Sequence, residues 1–468
     1  MGKLYSFILL LTWLTLSVAV NPGLKLRVTQ KGLDCANDVG KIFLQNYVKS
    51  LPIPNISGEE NVRGKLSYDI TDIQIEDLTI NESSLTVVPD AGIQMFIKNS
   101  KATINSNCKV DHWMLKAREK LVVELSGVSI KANFKISQND AGIPTFSLDS
   151  CQSDIKNVEV KLHKAMEVVA KMFNDKLEDY IRKTLNERLC PALTEESKKW
   201  DAKLSSYHFR SKVDDFVELD YHLVTSPVFT EKYIDVDIKG TFYAIKNHKE
   251  PTFAPVPFSL PDQSDAMLYT GVSASVVNSA AEAYYTSGVL SHTLTDNEIS
   301  ELTKAVLGIS EKPSEPLPVT VKIAASKPPT VTLRPNNMTV EVAGLIELST
   351  KGSNSPSQSM ISASMAASIS ADLGIAEANS MLRVSGSLTL NSFAVQITSK
   401  DKDSKFSDME KALQDFIQEK GVPFVNEKLK SGLIFQNSEY FPLVNPVFHT
   451  YQDFMLLSSD IACSNPRS

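Results

Sequence analysis

Histidine and cysteine are the residues here best suited to chemistry, and their spacing supports none of the common catalytic or metal-binding arrangements. His112, His163, His208, His222, His248, His292 and His449 contain no pair at i, i+3 or i, i+4, so no helix face offers two imidazoles to a metal. The chain lacks G-x-S-x-G, H-E-x-x-H, G-x-G-x-x-G and Walker A sequences. His163, at a strand–helix junction, and His248, in a proline-rich stretch, read as surface or packing residues. Cys35, Cys108, Cys151, Cys190 and Cys463 form no C-x-x-C pair, which argues against zinc-ribbon and thioredoxin-like sites. Their odd count leaves at least one thiol free or intermolecular. The sequence therefore predicts no catalytic residue, no metal site and no enzyme.

The chemistry that remains is charge. Lys98, Lys101, Lys109, Lys116, Arg118 and Lys120 face only Asp111 and Glu119 in the same stretch, a local excess of four positive charges. Trp113 and Met114 lie inside the run. A cationic strand pair carrying an exposed aromatic suits an anionic lipid or glycan surface. The same residues also fit the solvated face of a hairpin with a buried Trp113. The chain as a whole carries 48 Lys+Arg against 55 Asp+Glu, a net −7, which argues against a nucleic-acid partner. Between Asn21 and Asp220 there are 28 basic and 29 acidic residues, so the acidity belongs to the second half.

Met1 to Tyr5 followed by the apolar run Ser6–Val18 has the form of a signal peptide, with small residues Ser17-Val18-Ala19 placing cleavage after Ala19. No later window is long and apolar enough to span a bilayer, so no transmembrane segment is expected in the mature chain. An extracellular destination gives the cysteines the option of disulfides. It also makes Asn55, Asn81 and Asn337 candidate glycosylation sites, each opening an N-x-S/T sequon.

The elements that must carry these residues follow from periodicity. Leu33, Ala36, Gly40, Phe43, Leu44, Tyr47, Val48 and Leu51 recur at helical spacing until Pro52 and Pro54. From about Leu66 to Leu162 the period is two: Leu121, Val123 and Leu125, then Val128 to Ile136, predict antiparallel sheet with one wet face. A second helix is marked by Met166, Val169, Phe173, Leu177, Tyr180, Ile181, Leu185 and Leu189, with Pro191 as its end. Pro251, Pro255, Pro257 and Pro261 mark an extended linker. Beyond it, a helix over Ala280–Ser287, strands at Val319–Ala324, Thr330–Leu333, Thr339–Leu348 and Leu382–Ile397, and a late helix from Ser407 repeat the plan. Ser353–Ser370 reads as a loop running into a weakly packed element.

Several segments together resemble a known family. Val20-Asn21-Pro22-Gly23 with Thr29–Asp34, Leu219–Val224, Lys239–Tyr243, Pro251–Pro255 with Met267–Ser273, and Asn426–Leu429 are similar, in order and spacing, to the family of bactericidal permeability-increasing protein and lipopolysaccharide-binding protein. That family also includes the plasma lipid transfer proteins. The resemblance implies an α+β boomerang of two similar barrels, each a twisted antiparallel sheet wrapped around long helices, joined by a central sheet and the proline-rich linker. It implies a signal peptide over 1–19, an N-terminal lipid- or lipopolysaccharide-binding barrel over 20–246, a linker over 247–266 and a C-terminal barrel over 267–468. It further implies secretion, bound phospholipid in an apolar pocket of each barrel, and lipopolysaccharide and the bacterial outer-membrane surface as partners in innate antibacterial defence. Extracellular transfer of phospholipid or neutral lipid is the alternative. Lys109, Trp113, Lys116, Arg118 and Lys120 are the candidate lipopolysaccharide contacts. The resemblance also implies a Cys151–Cys190 bridge, which would clamp the second helix to the sheet. Cys35, Cys108 and Cys463 match no family partner, with Cys35–Cys108 one candidate second bridge.

Overall fold

The computed structural model describes residues 21–49, 53–61, 64–113, 115–162, 167–294, 319–350, 359–378, 381–398, 410–411, 414–415, 417–431, 433–436 and 442–463. The signal segment, His163 and the expected start of a helix at Ser407 lie outside these residues.

Period-two sequence builds the N-terminal sheet. Its main path runs through Ile56–Asn61, Lys65–Thr79, Gly92–His112, Leu115–Gln138 and Pro144–Leu162, with Glu82–Val88 beside Gly92–His112. The two longest strands have 21 and 24 residues, about four times an average strand. Strands of this length twist and must bend. Register breaks at Thr71/Gln74 and Ile97/Ser100 and positive φ at Asp72, Asn99 and Gly127 supply the bends. The curled inner face presents Leu66, Tyr68, Ile70, Ile104, Val110, Leu121, Val123, Leu125, Val158 and Val160, all buried.

Two helices serve this sheet. Helix α1, Gln30–Lys49, follows the first strand, and helix α2, Glu167–Ser206, packs Ile181, Tyr180, Leu185 and Leu189 against the inner face. The sequence places the end of α2 at Pro191, but the helix passes through it to Ser206. Proline removes one backbone hydrogen bond, and several contacts compensate. Cys190 is bonded to Cys151, Thr194 Oγ1 donates to the Cys190 carbonyl at 3.0 Å, and the Phe146 N–H donates to Asp201 at 2.8 Å.

The central sheet draws on both halves of the chain, in the order Val228–Phe229, Tyr233–Ile238, Leu24–Thr29, Leu268–Ser273, Phe454–Ile461, Leu443–Thr450. Residues 247–263 contain no helix or strand; Phe258 and Leu260 bury against Tyr269, Phe454 and Leu456. Gly271 permits that approach, since a Cβ there would stand 2.7 Å from both Leu260 and Phe258.

Helix α3, Ala274–Thr286, begins six residues before the expected start, directly after the strand ending at Ser273. The C-terminal sheet contains Ser291–Thr293, Val319–Ala325, Asn337–Thr350, Ser359–Ala378, Met381–Thr398 and Leu433–Gln436, with Thr330–Arg334 beside Asn337–Thr350 and helix α4, Val422–Ser431, packed on it. The Ser/Ala-rich segment is thus a 20-residue strand paired on both sides. Ladder hydrogen bonds with apolar neighbours on both flanks override its weak propensity.

Cys151 and Cys190 are joined, and the second bridge is Cys35–Cys463, not Cys35–Cys108. Cys108 is a buried free thiol on the inner sheet face beside Ile70, whereas the start of α1 lies against the last strand of the central sheet. Burial pushes the Cys108 thiol up to about 11. Peptide mapping without reduction should recover both bridges. Native Cys108 should alkylate roughly 100-fold more slowly than a thiol of ordinary pKa, and normally once the chain unfolds, because the thiolate is the nucleophile.

Candidate functional site: a cationic hairpin tip and an apolar interior

Gly92–His112 and Leu115–Gln138 form an antiparallel hairpin whose ladder runs back from His112 opposite Leu115, and that pairing fixes the register. His112 faces Leu115, Asp111 faces Lys116, Lys109 faces Arg118 and Asn107 faces Lys120. Residues two apart share a face. Lys109, Lys116, Arg118 and Lys120 therefore stand together on the outer face and are exposed, while Cys108, Val110 and His112 turn inward and are buried. Lys98 and Lys101 belong elsewhere: Lys101 is eight residues from Lys109, about 26 Å along the strand.

The outer cations are not equivalent. Lys116 is neutralised by Asp111 at 3.0 Å. Lys109 and Arg118 are directly opposed like charges, an arrangement that costs stability in a sheet. On its other side Lys109 has Asp69 as its cross-strand neighbour. Trp113 crowns the tip with 72% of its surface exposed, so the indole is not a core residue. Gly64 makes its seat: φ is +132°, and a Cβ there would lie 2.7 Å from Trp113 Cδ1.

Behind this face, the sheet and α2 line a partly open apolar cavity of about 40 Å³. Ile70, Ile73, Ile104, Leu121 and Val123 line it from the sheet, with Ile56 from its edge strand, Tyr180, Ile181 and Leu185 from α2, and Ile53 from just before that edge strand. Ser106, which donates to the Leu121 carbonyl at 3.3 Å, and Thr184 add two hydroxyls. Tyr68 and Tyr180 pack edge-to-face with centroids 5.7 Å apart. Sequence reasoning could not select these residues, because a cavity wall and a filled core have the same periodicity. Gly64 and the opposition of Lys109 to Arg118 were also missed; a register with His112 opposite Leu115 gives the second.

A charged cluster around the buried Asp220 lies elsewhere and has a bracing geometry. The Asp220 carboxylate accepts from His222 Nδ1 at 2.5 Å and Arg210 Nη2 at 3.2 Å, with Lys239 Nζ at 3.4 Å. Burial alone would raise its pKa, but these bonds and charges outweigh burial and hold it below the ordinary value. His248 stacks on Tyr243 and meets Glu218 at 3.1 Å. Among the described residues no group of three or more His, Cys, Asp or Glu is placed to hold a metal ion, and no helix is long and apolar enough to cross a membrane. Asn55, Asn81 and Asn337 are all exposed, Asn81 Nδ2 donating to the Asn99 carbonyl at 2.6 Å.

Two rolled antiparallel sheets, each served by helices and joined through a shared sheet, define the double-barrel class of helix-and-sheet proteins. Comparison makes this specific: the chain belongs to the LBP/BPI/CETP family, whose N-terminal domain matches residues 32–207 and C-terminal domain residues 211–463. It is 30% identical to human BPI fold-containing family C protein, over 97% of this chain and 92% of that one. It is 28% identical to bactericidal permeability-increasing protein of Sebastes schlegelii, over 97% and 98%. It is 26% identical to human lipopolysaccharide-binding protein, over 97% and 96%. The crystal structure of a lipopolysaccharide binding protein superposes with a TM-score of 0.61 at 21% identity, covering 96% of this chain and all of that one, which establishes the shared fold.

Gly64→Ala should cost about 1–3 kcal/mol, since the new side chain must hold a positive φ and displace the indole. Urea denaturation measures the loss. In a Trp113→Ala background it should shrink, leaving the backbone component.

Proposed function

We propose that the protein is a secreted lipid-binding protein that recognises bacterial lipopolysaccharide through its lipid A phosphates and acts in innate antibacterial defence. The observation that carries this reading is the opposition of Lys109 and Arg118 on an exposed face beneath Trp113. A like-charge pair destabilises the free hairpin and becomes favourable against clustered phosphates. Arg118 can bind two oxygens at once, and Lys109 and Lys120 act as point charges. Trp113 then sits where an indole is best accommodated, at a boundary between water and acyl chains. The names of relatives that bind lipopolysaccharide or increase bacterial permeability support the same reading. The exposed sequons at Asn55, Asn81 and Asn337 and the N-terminal apolar run support secretion and glycosylation.

Phospholipid occupies the apolar interior in this proposal. The cavity of about 40 Å³ is far smaller than the roughly 150 Å³ that admits benzene, so an acyl chain enters only as a wall withdraws. Each methylene then buried contributes about 0.8 kcal/mol towards that displacement. Extraction of the purified protein should yield phospholipid near two molecules per chain. A lipid-free chain that also refuses phosphatidylcholine would remove the interior from the proposal. Transfer of phospholipid or neutral lipid is the second reading, favoured by the balance of charge between Asn21 and Asp220.

The two readings separate on one variant. Lys109→Glu with Arg118→Glu should weaken lipopolysaccharide binding more than tenfold and leave phosphatidylcholine uptake nearly unchanged, at about 1 kcal/mol for each lost contact to an anionic surface. Wild-type affinity should fall as salt rises. If neither measurement responds to the double reversal, the transfer reading replaces the first.

A further inference from the structure

We infer that the Cys35–Cys463 bridge is a strap that holds α1, and with it one wall of the N-terminal cavity, against the end of the chain. It ties residues 428 apart in sequence. Cys35 is buried in the second turn of α1, and Cys463 is exposed just beyond the strand Phe454–Ile461. The inference rests on the reading of the interior as a lipid site.

The start of α1 is seated closely on the other half of the chain. Lys31 reaches Asp460 at 3.0 Å and the Asp265 carbonyl at 3.1 Å, and Thr29 Oγ1 donates to the Ala266 carbonyl at 2.9 Å. Gly32 lies so close that a Cβ would stand 2.9 Å from the Met267 carbonyl oxygen. Further along, α1 is held by single hydrogen bonds: Asn37 to the Ser83 carbonyl at 3.2 Å and Gln45 to the Leu78 carbonyl at 3.1 Å. Its last residue, Lys49, makes an exposed pair with Asp77 at 3.2 Å. Bonds of this kind exchange with water at little net cost. The bridge is the one covalent hold on the helix among the described residues.

The cavity gives that hold its consequence. Of its three walls, the sheet is fixed by continuous ladders. Helix α2 is pinned by Cys151–Cys190, by Ser153 Oγ donating to the Asn186 carbonyl at 3.2 Å and by the Val160 N–H donating to Glu178 at 3.3 Å. The third wall, Ile53 and Ile56, follows α1 by four and seven residues; Ile56 opens the edge strand Ile56–Asn61, which is paired on one side only, with Lys65–Thr79, and carries no disulfide. A cavity too small for an acyl chain at rest opens most readily where its wall is least pinned. The strap makes the start of α1 the pivot of that movement and limits its extent.

Cys463→Ser in the otherwise intact mature chain tests this, because it cuts the strap at its exposed end and leaves Cys35 in its packed position. Amide hydrogen exchange should accelerate at least tenfold over residues 30–49 and 53–61 and stay unchanged in the 92–138 hairpin. Release of preloaded phosphatidylcholine bearing a fluorescent acyl chain should accelerate at least fivefold. Unchanged exchange over residues 30–61 would overturn the strap, and faster exchange with unchanged release would overturn its hold on the cavity. If the wild type takes up no phosphatidylcholine, the lipid reading falls, and the exchange result alone decides the strap. Cys35→Ala with Cys463→Ala should reproduce the exchange result; if it does not, the effect of the single variant comes from the liberated thiol and the strap is refuted.

Discussion

One buried arginine anchors the strand on which the two halves of this molecule meet. Arg27, in the strand Leu24–Thr29, is 4% exposed. It meets Asp235 through two hydrogen bonds of 2.7 and 2.9 Å, donates to the Pro261 carbonyl at 2.6 Å and lies 3.6 Å from the Tyr233 ring centroid. Burial opposes its charge, and the Asp235 contact overrides burial to raise its pKa. Removing Asp235 would leave the buried guanidinium without its carboxylate, and breaking a buried pair in this way typically costs about 3–5 kcal/mol. The same strand is paired on one side with Tyr233–Ile238 and on the other with Leu268–Ser273. The cluster fixes this shared strand to Tyr233–Ile238, and the proline-rich segment is fixed by it through Pro261.

A rigid centre lets the N-terminal sheet be long. Its strands are tied at one end, through the Leu223 N–H donating to the Gly142 carbonyl at 2.8 Å, and run outward to the Trp113 turn. Charge at the far tip is thereby separated from the ion pairs of the centre by many Debye lengths. The tip can carry opposed cations without disturbing Arg27–Asp235 or Lys25–Asp237, and the centre can bury charge without weakening the field at the tip.

What the sequence disclosed depended on how local the cause was. The alternation of Leu121, Val123 and Leu125 is written in adjacent residues, and the sheet follows it. The path of α2 beyond Pro191 was not legible, because the compensation comes from Cys151, on a strand 39 residues before Cys190, and from Phe146. The partner of Cys35 was still less legible, since only the central sheet brings position 463 to it. At the tip, alternation alone places Lys109 and Asp111 on one face, and only the cross-strand register pairs them with Arg118 and Lys116. The cavity was invisible for a different reason: Ile70, Leu121 and Ile181 would read the same in a solid core.

Those tip pairings change how charge should be counted. A surplus of four across Lys98–Lys120 overstates the field, because Lys98 and Lys101 are remote and Lys116 is cancelled by Asp111. A balanced total between Asn21 and Asp220 understates it, because most of those carboxylates lie beyond the roughly 8 Å over which exposed charges act at physiological salt. The outward field at the tip is set by Lys109, Arg118 and Lys120, moderated by Asp69 across the strand. Among the described residues, no carboxylate forms an ion pair with any of these three cations. The net −7 of the chain sets its behaviour in bulk solution, whereas the field at short range is set by which side chains the register places face to face.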